Sequence, residues 1–226
     1  SLVYEDPHKS AHLTTERPVP IQPTCFQLET SSAARSKMTD LKWLNPPENV
    51  TQDGDVLRVT TGDKTDFWRG TFYGFYRHNG HFLHQRVEGD FTAEVSVGGD
   101  YRVLYDQAGL MIRLSESHWI KAGIEHTDGK NYFSVVVTNT MSDWSLVEVP
   151  GATTDIRIRL TRHAEAIRVQ YYDPLEETFV PVRLAYFPPT VAVDVGMMCC
   201  SPQRSGFEAT FKDFRVGEAI SRDLHG

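Results

Sequence analysis

The sequence predicts an all-β fold, built as a sandwich of two antiparallel sheets. From Leu41 onward it contains many short runs rich in Val, Ile, Tyr, Phe and Thr, separated by Gly, Asn, Asp and Pro. Apolar and polar residues alternate within these runs, and no amphipathic helix of about 12 residues is recognisable. Strands of this number and spacing favour a two-sheet sandwich, and 226 residues are enough to bury one large core.

The clearer strands follow one another through most of the chain. In order they are DVLRVTT, FTAEVSV, AGLMIRL, WIKAGIEH, YFSVVVTN, WSLVEV, DIRIRL, AIRVQYYD, FVPVRLA, TVAVDVGMM and FEATFKDFRV. Each is rich in β-branched or aromatic residues, and turn-forming residues separate them. We therefore predict that the sandwich spans residues 38–220 and is followed by a short tail at 221–226.

Residues 1–37 differ from the rest of the chain. They are rich in Pro, Ser and Thr and show almost no apolar periodicity, which is typical of an extended arm. Because more regular sequence begins at Met38, part of the arm is interpreted as an extension ahead of a natural start. An arm of this kind lies along its own domain or along a second copy, and the second arrangement predicts a homodimer.

Charge and cysteine content exclude several classes of function. Acids and bases are interspersed and the formal net charge is -7, so no nucleic-acid or membrane partner is predicted. No stretch approaches the roughly 20 apolar residues that cross a bilayer, and no apolar signal segment is recognisable, so we predict a cytoplasmic location. Cys25, Cys199 and Cys200 are odd in number and two are adjacent, which indicates thiols rather than a disulfide framework.

The segment 107–138 predicts two successive hairpins. Asp128-Gly129 is the strongest short hairpin signal, so Thr127 is expected to pair with Lys130. A second turn near Glu116 joins the preceding two strands. The resulting register places Gln107 opposite Glu125, Gly109 opposite Gly123, Met111 opposite Lys121, and Arg113 opposite Trp119.

Side chains alternate between the two faces of these strands, so each face can be predicted. One face is expected to join the core and carries Ala108, Leu110, Ile112, Ile120, Ala122, Ile124, Phe133, Val135 and Val137. The other face carries the candidate ligand-binding residues, which are Gln107, Gly109, Met111, Arg113, Trp119, Lys121, Gly123, Glu125, Tyr132, Ser134 and Thr138.

A lane of small residues, formed by Gly109, Gly123 and Ser134, crosses this second face. Glycine inside a strand often marks the close approach of a ligand or of another backbone, and exposed aromatic residues usually mark a site. We therefore predict a shallow ligand groove, which Gly123→Val should fill while leaving the fold largely intact. The alternative is an ordinary solvated sheet face.

The chain resembles the regulation-of-enolase protein family, a domain of unknown function in the concanavalin A-like lectin/glucanase superfamily. The resemblance runs from about Leu41 to Val216 and rests on TDFWRGTFYGFYRHNGHFL, YDQAGLMIRLSESHWIKAGIEHTDG, SVVVTNTMSDWS and SGFEATFKDFRV. It implies a concanavalin A-like jelly-roll sandwich with a concave ligand-binding sheet, a fold in which superfamily relatives bind or cleave carbohydrate. Because fold does not fix function, the resemblance leaves the activity open.

Two short motifs place an acid beside a tryptophan. They are Asp66 with Trp68, and Asp143 with Trp144. An aromatic ring that stacks on a sugar and a carboxylate that accepts its hydroxyls recur together in carbohydrate sites. The alternative is a core tryptophan next to a turn aspartate.

The segment EGDFTAE resembles the paired carboxylates of concanavalin A-like glucanases. Glu88, Asp90 and Glu94 would supply a nucleophile and an acid if they shared one strand face. However, VEGD reads as a turn, so Glu88 is expected to precede the strand and not to share that face. We predict no catalysis, and keep a glycoside hydrolase using these residues or Glu125 as the alternative.

No metal or cofactor site is predicted. His78, His81 and His84 lie close in sequence, but a metal needs ligands that converge on one point, and no carboxylate or cysteine completes the set. No phosphate-binding glycine loop or serine nucleophile is recognisable.

The sequence thus predicts a lectin-like module that binds a small saccharide or a sugar phosphate. Trp119 and Tyr132 are expected to stack on it, while Lys121 and Glu125 grip opposite ends as separate contacts. Neutral hydrogen bonds would come from Gln107, Ser134 and Thr138. The alternatives are the glycoside hydrolase and a protein-interaction scaffold whose groove receives a peptide or another chain.

Overall fold

The computed structural model describes residues 40–149, 155–190 and 192–224. The predictions for residues 1–37, including the arm, its homodimer and Cys25, lie outside the described residues. Within the described ranges the chain is almost entirely β-strand and loop. No helix in that part of the chain is long and apolar enough to span a membrane.

The described residues form sixteen strands, which are numbered in chain order. They are β1 (Lys42–Leu44), β2 (Asn49–Asp53), β3 (Val56–Thr60), β4 (Phe67–Arg69), β5 (Tyr76–His78), β6 (His81–Glu88), β7 (Phe91–Gly99), β8 (Gln107–Ser115), β9 (His118–Thr127), β10 (Lys130–Asn139), β11 (Met141–Glu148), β12 (Asp155–His163), β13 (Ala166–Asp173), β14 (Thr178–Tyr186), β15 (Ala192–Cys200) and β16 (Glu208–Gly217).

These strands build two large sheets and one small hairpin. The first sheet has the order β1-β6-β15-β8-β9-β10-β11, and the second has the order β14-β13-β12-β7-β16-β3-β2. Among the described strands, β4 and β5 pair only with each other. All the ladders between described strands are antiparallel. The predicted all-β fold, a two-sheet antiparallel jelly-roll sandwich, is confirmed.

The core lies between the two large sheets, because each sheet turns one apolar face toward the other. On β12, Ile156, Ile158 and Leu160 are buried at every second position, as Val95 and Val97 are on β7. Burial of a Val or Ile side chain contributes about 1.5–3 kcal/mol, so this alternation fixes the register of both strands.

The predicted register of the two hairpins is confirmed. Thr127 pairs with Lys130 across Asp128 and Gly129, whose φ angles of 51° and 75° suit the two-residue turn. All four predicted pairs between β8 and β9 are present. The predicted core face is also confirmed, with Val137 only partly buried at its edge.

The β4–β5 hairpin covers part of the outer face of the first sheet, which the sequence did not predict. Phe67 packs edge-on against Trp119, with ring centroids 6.2 Å apart. The hairpin thereby closes a second apolar cluster of Phe67, Phe82, Met111, Trp119, Val136, Met198 and Cys200. Trp119 is 0% exposed, so the expectation that it stacks on a ligand is wrong.

Candidate functional site

A cavity of about 190 Å³ opens on the outer face of the first sheet, beside the β4–β5 hairpin. Strands β8, β9 and β10 supply its floor, and the hairpin, strand β11 and two loops supply its walls. The lining residues are Asp66, Trp68, Tyr73, Phe75, Arg77, Tyr105, Gln107, Lys121, Glu125, Val136, Trp144, Pro202 and Gln203.

A buried ion pair lies at the floor of the cavity. Lys121 Nζ donates to Asp66 Oδ1 at 3.3 Å and to the Phe67 carbonyl oxygen at 2.8 Å. Asp66 Oδ1 also accepts the Phe67 backbone N–H at 2.8 Å. These bonds tie β9 to the hairpin, and they engage the lysine within the protein.

Glu125 is a second buried carboxyl group beside this pair. Ser134 Oγ donates to Glu125 Oε2 at 2.6 Å, and the Trp144 indole N–H donates to Ser134 Oγ at 3.2 Å. Burial raises the pKa of Glu125 and nearby Asp66 adds to the effect, although Lys121 and the Ser134 hydrogen bond oppose it. The carboxyl group therefore holds its proton more tightly than an exposed glutamate does.

Aromatic rings surround this polar floor. Tyr73 stacks on Phe75 with centroids 5.4 Å apart and meets Trp68 edge-on at 6.0 Å. The Tyr73 and Tyr105 hydroxyls are 2.9 Å apart, and Tyr105 meets Trp144 edge-on at 6.4 Å. The Tyr73 hydrogen bond and then burial raise the pKa of Tyr105 to about 12, so the Tyr105 hydroxyl stays neutral.

Six predicted site residues meet in this cavity: Asp66, Trp68, Gln107, Lys121, Glu125 and Trp144. Gln107 donates through Nε2 to the Tyr105 carbonyl oxygen at 3.2 Å, so it also supports a cavity loop. The structure thus brings together both sequence signals, the polar face of β8–β9 and the two tryptophans of the acid–tryptophan motifs.

The other predicted site residues do not line the cavity. Ser134 donates a hydrogen bond to Glu125 without lining the cavity, and Thr138 Oγ1 is hydrogen-bonded to Ser142 Oγ at 2.8 Å. Asp143 is exposed on β11 and bonds to Arg183. Met111 is fully buried with Trp119, while Arg113 and Tyr132 are partly exposed outside the lining.

The glycine lane is a close approach of two backbones. A Cβ atom at Gly123 would lie 2.1 Å from the Ala108 carbonyl oxygen and 2.6 Å from Gly109 Cα. The space beside Gly123 and Ser134 has no volume for a water-sized group. The predicted groove is therefore absent from this lane, and the expectation that Gly123→Val preserves the fold is wrong.

The alternative catalytic set does not assemble. Glu88 ends β6 in the first sheet, Asp90 lies in the turn, and Glu94 lies on β7 in the second sheet. Glu94 is buried and bonds to Arg157, Arg159 and Arg215. These three acids therefore cannot face one glycosidic bond, and Glu125 is the one member of the alternative set in the cavity.

The three histidines take separate structural positions. His81 Nδ1 lies 2.7 Å from the Asn45 carbonyl oxygen, and its Nε2 accepts the Gly62 N–H at 3.0 Å. His78 pairs with Glu116, and His84 lies near Asp194. Among the described residues, no three His, Cys, Asp or Glu side chains are grouped as metal ligands would be.

Sequence reasoning missed the cavity residues contributed by loops and by the small hairpin. These are Tyr73, Phe75, Arg77, Tyr105, Pro202 and Gln203, and Val136 on the floor strand β10 was missed as well. The run TFYGFYR at 71–77 was a usable signal, because four aromatic residues lie close together beside two glycines. No comparable signal marks Pro202 and Gln203.

Comparisons with known proteins agree with this fold. The family model described as "Protein of unknown function (DUF1349)" matches residues 43–219. The chain is 43% identical over 193 residues to "Regulation of enolase protein 1" of Saccharomyces cerevisiae, covering 84% of this chain and 97% of that protein. A crystal structure of a functionally unknown Saccharomyces cerevisiae protein has a TM-score of 0.78 and 41% identity, covering 82% of this chain and 100% of that one.

More distant similarity extends to glycoside hydrolase proteins. The Bacteroides ovatus structure described as "Xyloglucan PUL GH43B" has a TM-score of 0.63 and 17% identity, covering 96% of this chain and 42% of that one. At this identity the likeness concerns the fold alone. The family match over most of the chain confirms the resemblance derived from the sequence motifs. The chain belongs to the DUF1349 family of proteins of unknown function, together with the yeast regulation-of-enolase protein.

Proposed function

We propose that the chain binds a neutral saccharide in the cavity on the outer face of its first sheet, without catalysing a reaction. The observation that carries the proposal is the combination of aromatic walls with a buried polar floor. Trp68, Tyr73 and Trp144 offer ring surface, while Gln107 and Glu125 offer hydrogen-bonding groups. Sugars present apolar C–H faces and a rim of hydroxyls, which match these two kinds of surface.

The electrostatics of the floor favour a neutral ligand over a sugar phosphate. Lys121 already donates to Asp66 and to the Phe67 carbonyl oxygen, so its charge is compensated within the protein. Arg77 donates to the Lys64 carbonyl oxygen at 3.0 Å and lies over the Phe75 ring. Because Asp66 offsets the Lys121 charge and the Glu125 carboxyl group lies beside this pair, the floor offers little net attraction for an anion.

The comparisons are compatible with this proposal. Similar folds occur within glycoside hydrolase proteins, although at identities that support the fold alone. The yeast relative is named for the regulation of enolase, and a saccharide-binding module without catalysis would suit a regulatory role. A cytoplasmic location stays part of the proposal.

Glycan-array screening followed by titration calorimetry tests the proposal. Trp144 is 40% exposed at the cavity wall, so Trp144→Ala removes ring surface with little loss of core packing. We expect it to weaken binding up to about 10-fold, since an aromatic contact contributes up to about 1.5 kcal/mol. Tyr186→Ala, an exposed aromatic residue on β14 of the second sheet, serves as the matched control.

Glycoside hydrolysis by Glu125 is the second candidate function. The observation that favours it is a buried carboxyl group with a raised pKa, in one cavity with a second carboxyl group, Asp66. Such a glutamate can protonate a glycosidic oxygen while water attacks the anomeric carbon. Release of reducing sugar by wild type, lost in Glu125→Gln with binding retained, would establish hydrolysis. Neither saccharide binding nor hydrolysis, together with a protein partner captured in a pull-down, would favour the protein-interaction scaffold.

A further inference from the structure

We infer that the saccharide is a chain, whose terminal residue enters the cavity while the next residue rests on an aromatic loop outside it. The inference rests on the proposed function and names the ligand class of the same site. The loop comprises residues 70–75, with the sequence Gly-Thr-Phe-Tyr-Gly-Phe, and connects β4 to β5. Its outermost side chain, Phe72, provides the second contact.

Phe72 is placed in a way that folding alone does not explain. Its side chain is 93% exposed, and its backbone has a φ of 63°. A bulky residue at positive φ is a strained outlier, and such outliers concentrate at ligand clamps. An exposed phenyl ring adds an unfavourable hydration term without gaining core packing. Both costs are explained if the ring meets a ligand.

The loop holds this ring in a defined position. Gly70 N–H donates to the Phe75 carbonyl oxygen at 2.9 Å, and Gly74 N–H donates to the Gly70 carbonyl oxygen at 2.7 Å. Both glycines have positive φ, 66° and 71°, a conformation that glycine adopts without strain. These two hydrogen bonds close the loop and fix its ends, and Phe72 lies on its exposed side.

The rings form a continuous surface from the cavity to Phe72. Phe72 meets Tyr73 edge-on with centroids 5.1 Å apart, and Tyr73 stacks on Phe75. Tyr73 and Phe75 line the cavity, whereas Phe72 does not. A sugar held against Tyr73 would therefore have its neighbouring residue directed along the same aromatic surface.

The size and shape of the cavity require the rest of a chain to lie outside. Its volume of about 190 Å³ is below the roughly 300–1,000 Å³ of pockets that enclose a drug-sized ligand. The floor is blocked by Lys121, Glu125 and Val136, all of them buried. A chain cannot pass through, so the cavity admits one end of it.

Binding to arrayed glucose, xylose, galactose and mannose oligomers, from monosaccharide to tetrasaccharide, tests the inference. We expect wild type to bind the disaccharide of the preferred series about 3- to 10-fold more tightly than its monosaccharide. Phe72→Asn removes the ring but suits a left-handed backbone, and should abolish this gain while leaving monosaccharide binding unchanged. Phe72→Tyr keeps a stacking ring and should retain the gain.

Two controls separate this inference from the proposed function. Leu175→Ala changes another exposed loop residue and should keep the gain with chain length, whereas Trp144→Ala should weaken every member of the series. Equal affinity of wild type for monosaccharide and tetrasaccharide, or an undiminished gain in Phe72→Asn, would overturn the inference while saccharide binding stands. Absence of binding to all series would overturn the proposed function and this inference with it.

Discussion

Replacing Gly123 with alanine tests whether the glycine lane holds two strands together. The added Cβ atom would lie 2.1 Å from the Ala108 carbonyl oxygen and 2.6 Å from Gly109 Cα, and both neighbours are backbone atoms that no rotamer change can move. Relief requires β8 and β9 to separate locally by roughly 1 Å, which disturbs their ladder and the close packing beneath it. Overpacking of this kind typically costs about 1–3 kcal/mol, and more when the backbone must move.

We expect Gly123→Ala to lower the free energy of unfolding by about 3 kcal/mol or more, because the backbone itself must move. A glycine-to-alanine change at an unstrained position instead stabilises by about 0.4–1 kcal/mol, because alanine reduces the entropy of the unfolded chain. Gly62→Ala is the matched control, since its Cβ atom would meet Thr65 and His81 side chains at 3.6 Å or more.

Urea denaturation of both variants measures the effect, provided that the unfolding free energy depends on urea concentration with the same slope as in wild type. Gly109→Ala should behave like Gly123→Ala, because its Cβ atom would lie 2.0 Å from the Ala122 carbonyl oxygen. Since both substitutions separate the same strands, the double variant should lose less than the sum of the two. A stability within about 0.5 kcal/mol of wild type for Gly123→Ala would refute the close approach.

Three further predictions test the buried charges. Burial and Asp66 raise the pKa of Glu125, so the stability that this residue contributes is complete below the ordinary glutamate pKa of 4.5 and is lost as pH rises. Glu125→Gln should therefore gain stability relative to wild type from pH 4 to pH 8. A stability difference that does not change with pH would contradict this. Burial alone would raise the pKa of Glu94, but Arg159 and Arg157 outweigh burial and lower it. Glu94→Gln should therefore reduce the free energy of unfolding by about 3 kcal/mol at pH 7, and by less as pH falls below 4.5. An unchanged unfolding curve at pH 7 would argue against the ion pairs. Lys121→Met should lower the free energy of unfolding by about 3–5 kcal/mol, because it leaves Asp66 buried without its partner. Adding Asp66→Asn to the same chain should recover part of that loss. Thermal denaturation in which Lys121→Met matches wild type would exclude the ion pair.

Sequence patterns predicted the sheet register well because two local signals agree. The Asp128-Gly129 turn fixes one hairpin, and the two-residue alternation of β8, β9 and β10 admits one register that buries the apolar set. Gln107, Lys121 and Glu125 could therefore be assigned to one face, and the structure places all three on one cavity.

The role of Trp119 could not be predicted, because it depends on a covering element with almost no periodic signal. Strands β4 and β5 have three residues each, too few to reveal an alternation. They bring Phe67 onto Trp119 and turn an exposed face into a buried cluster. The meaning of Gly123 was equally undetermined, since glycine in a strand permits the approach of either a ligand or another backbone.

Titration calorimetry of wild type and Trp144→Ala, using a saccharide that wild type retains on a glycan array, tests most directly whether the cavity is the binding site. We expect the dissociation constant to be up to about 10-fold larger for Trp144→Ala and unchanged for the Tyr186→Ala control. Equal affinities of wild type and Trp144→Ala for that saccharide would contradict the assignment of the cavity as the site.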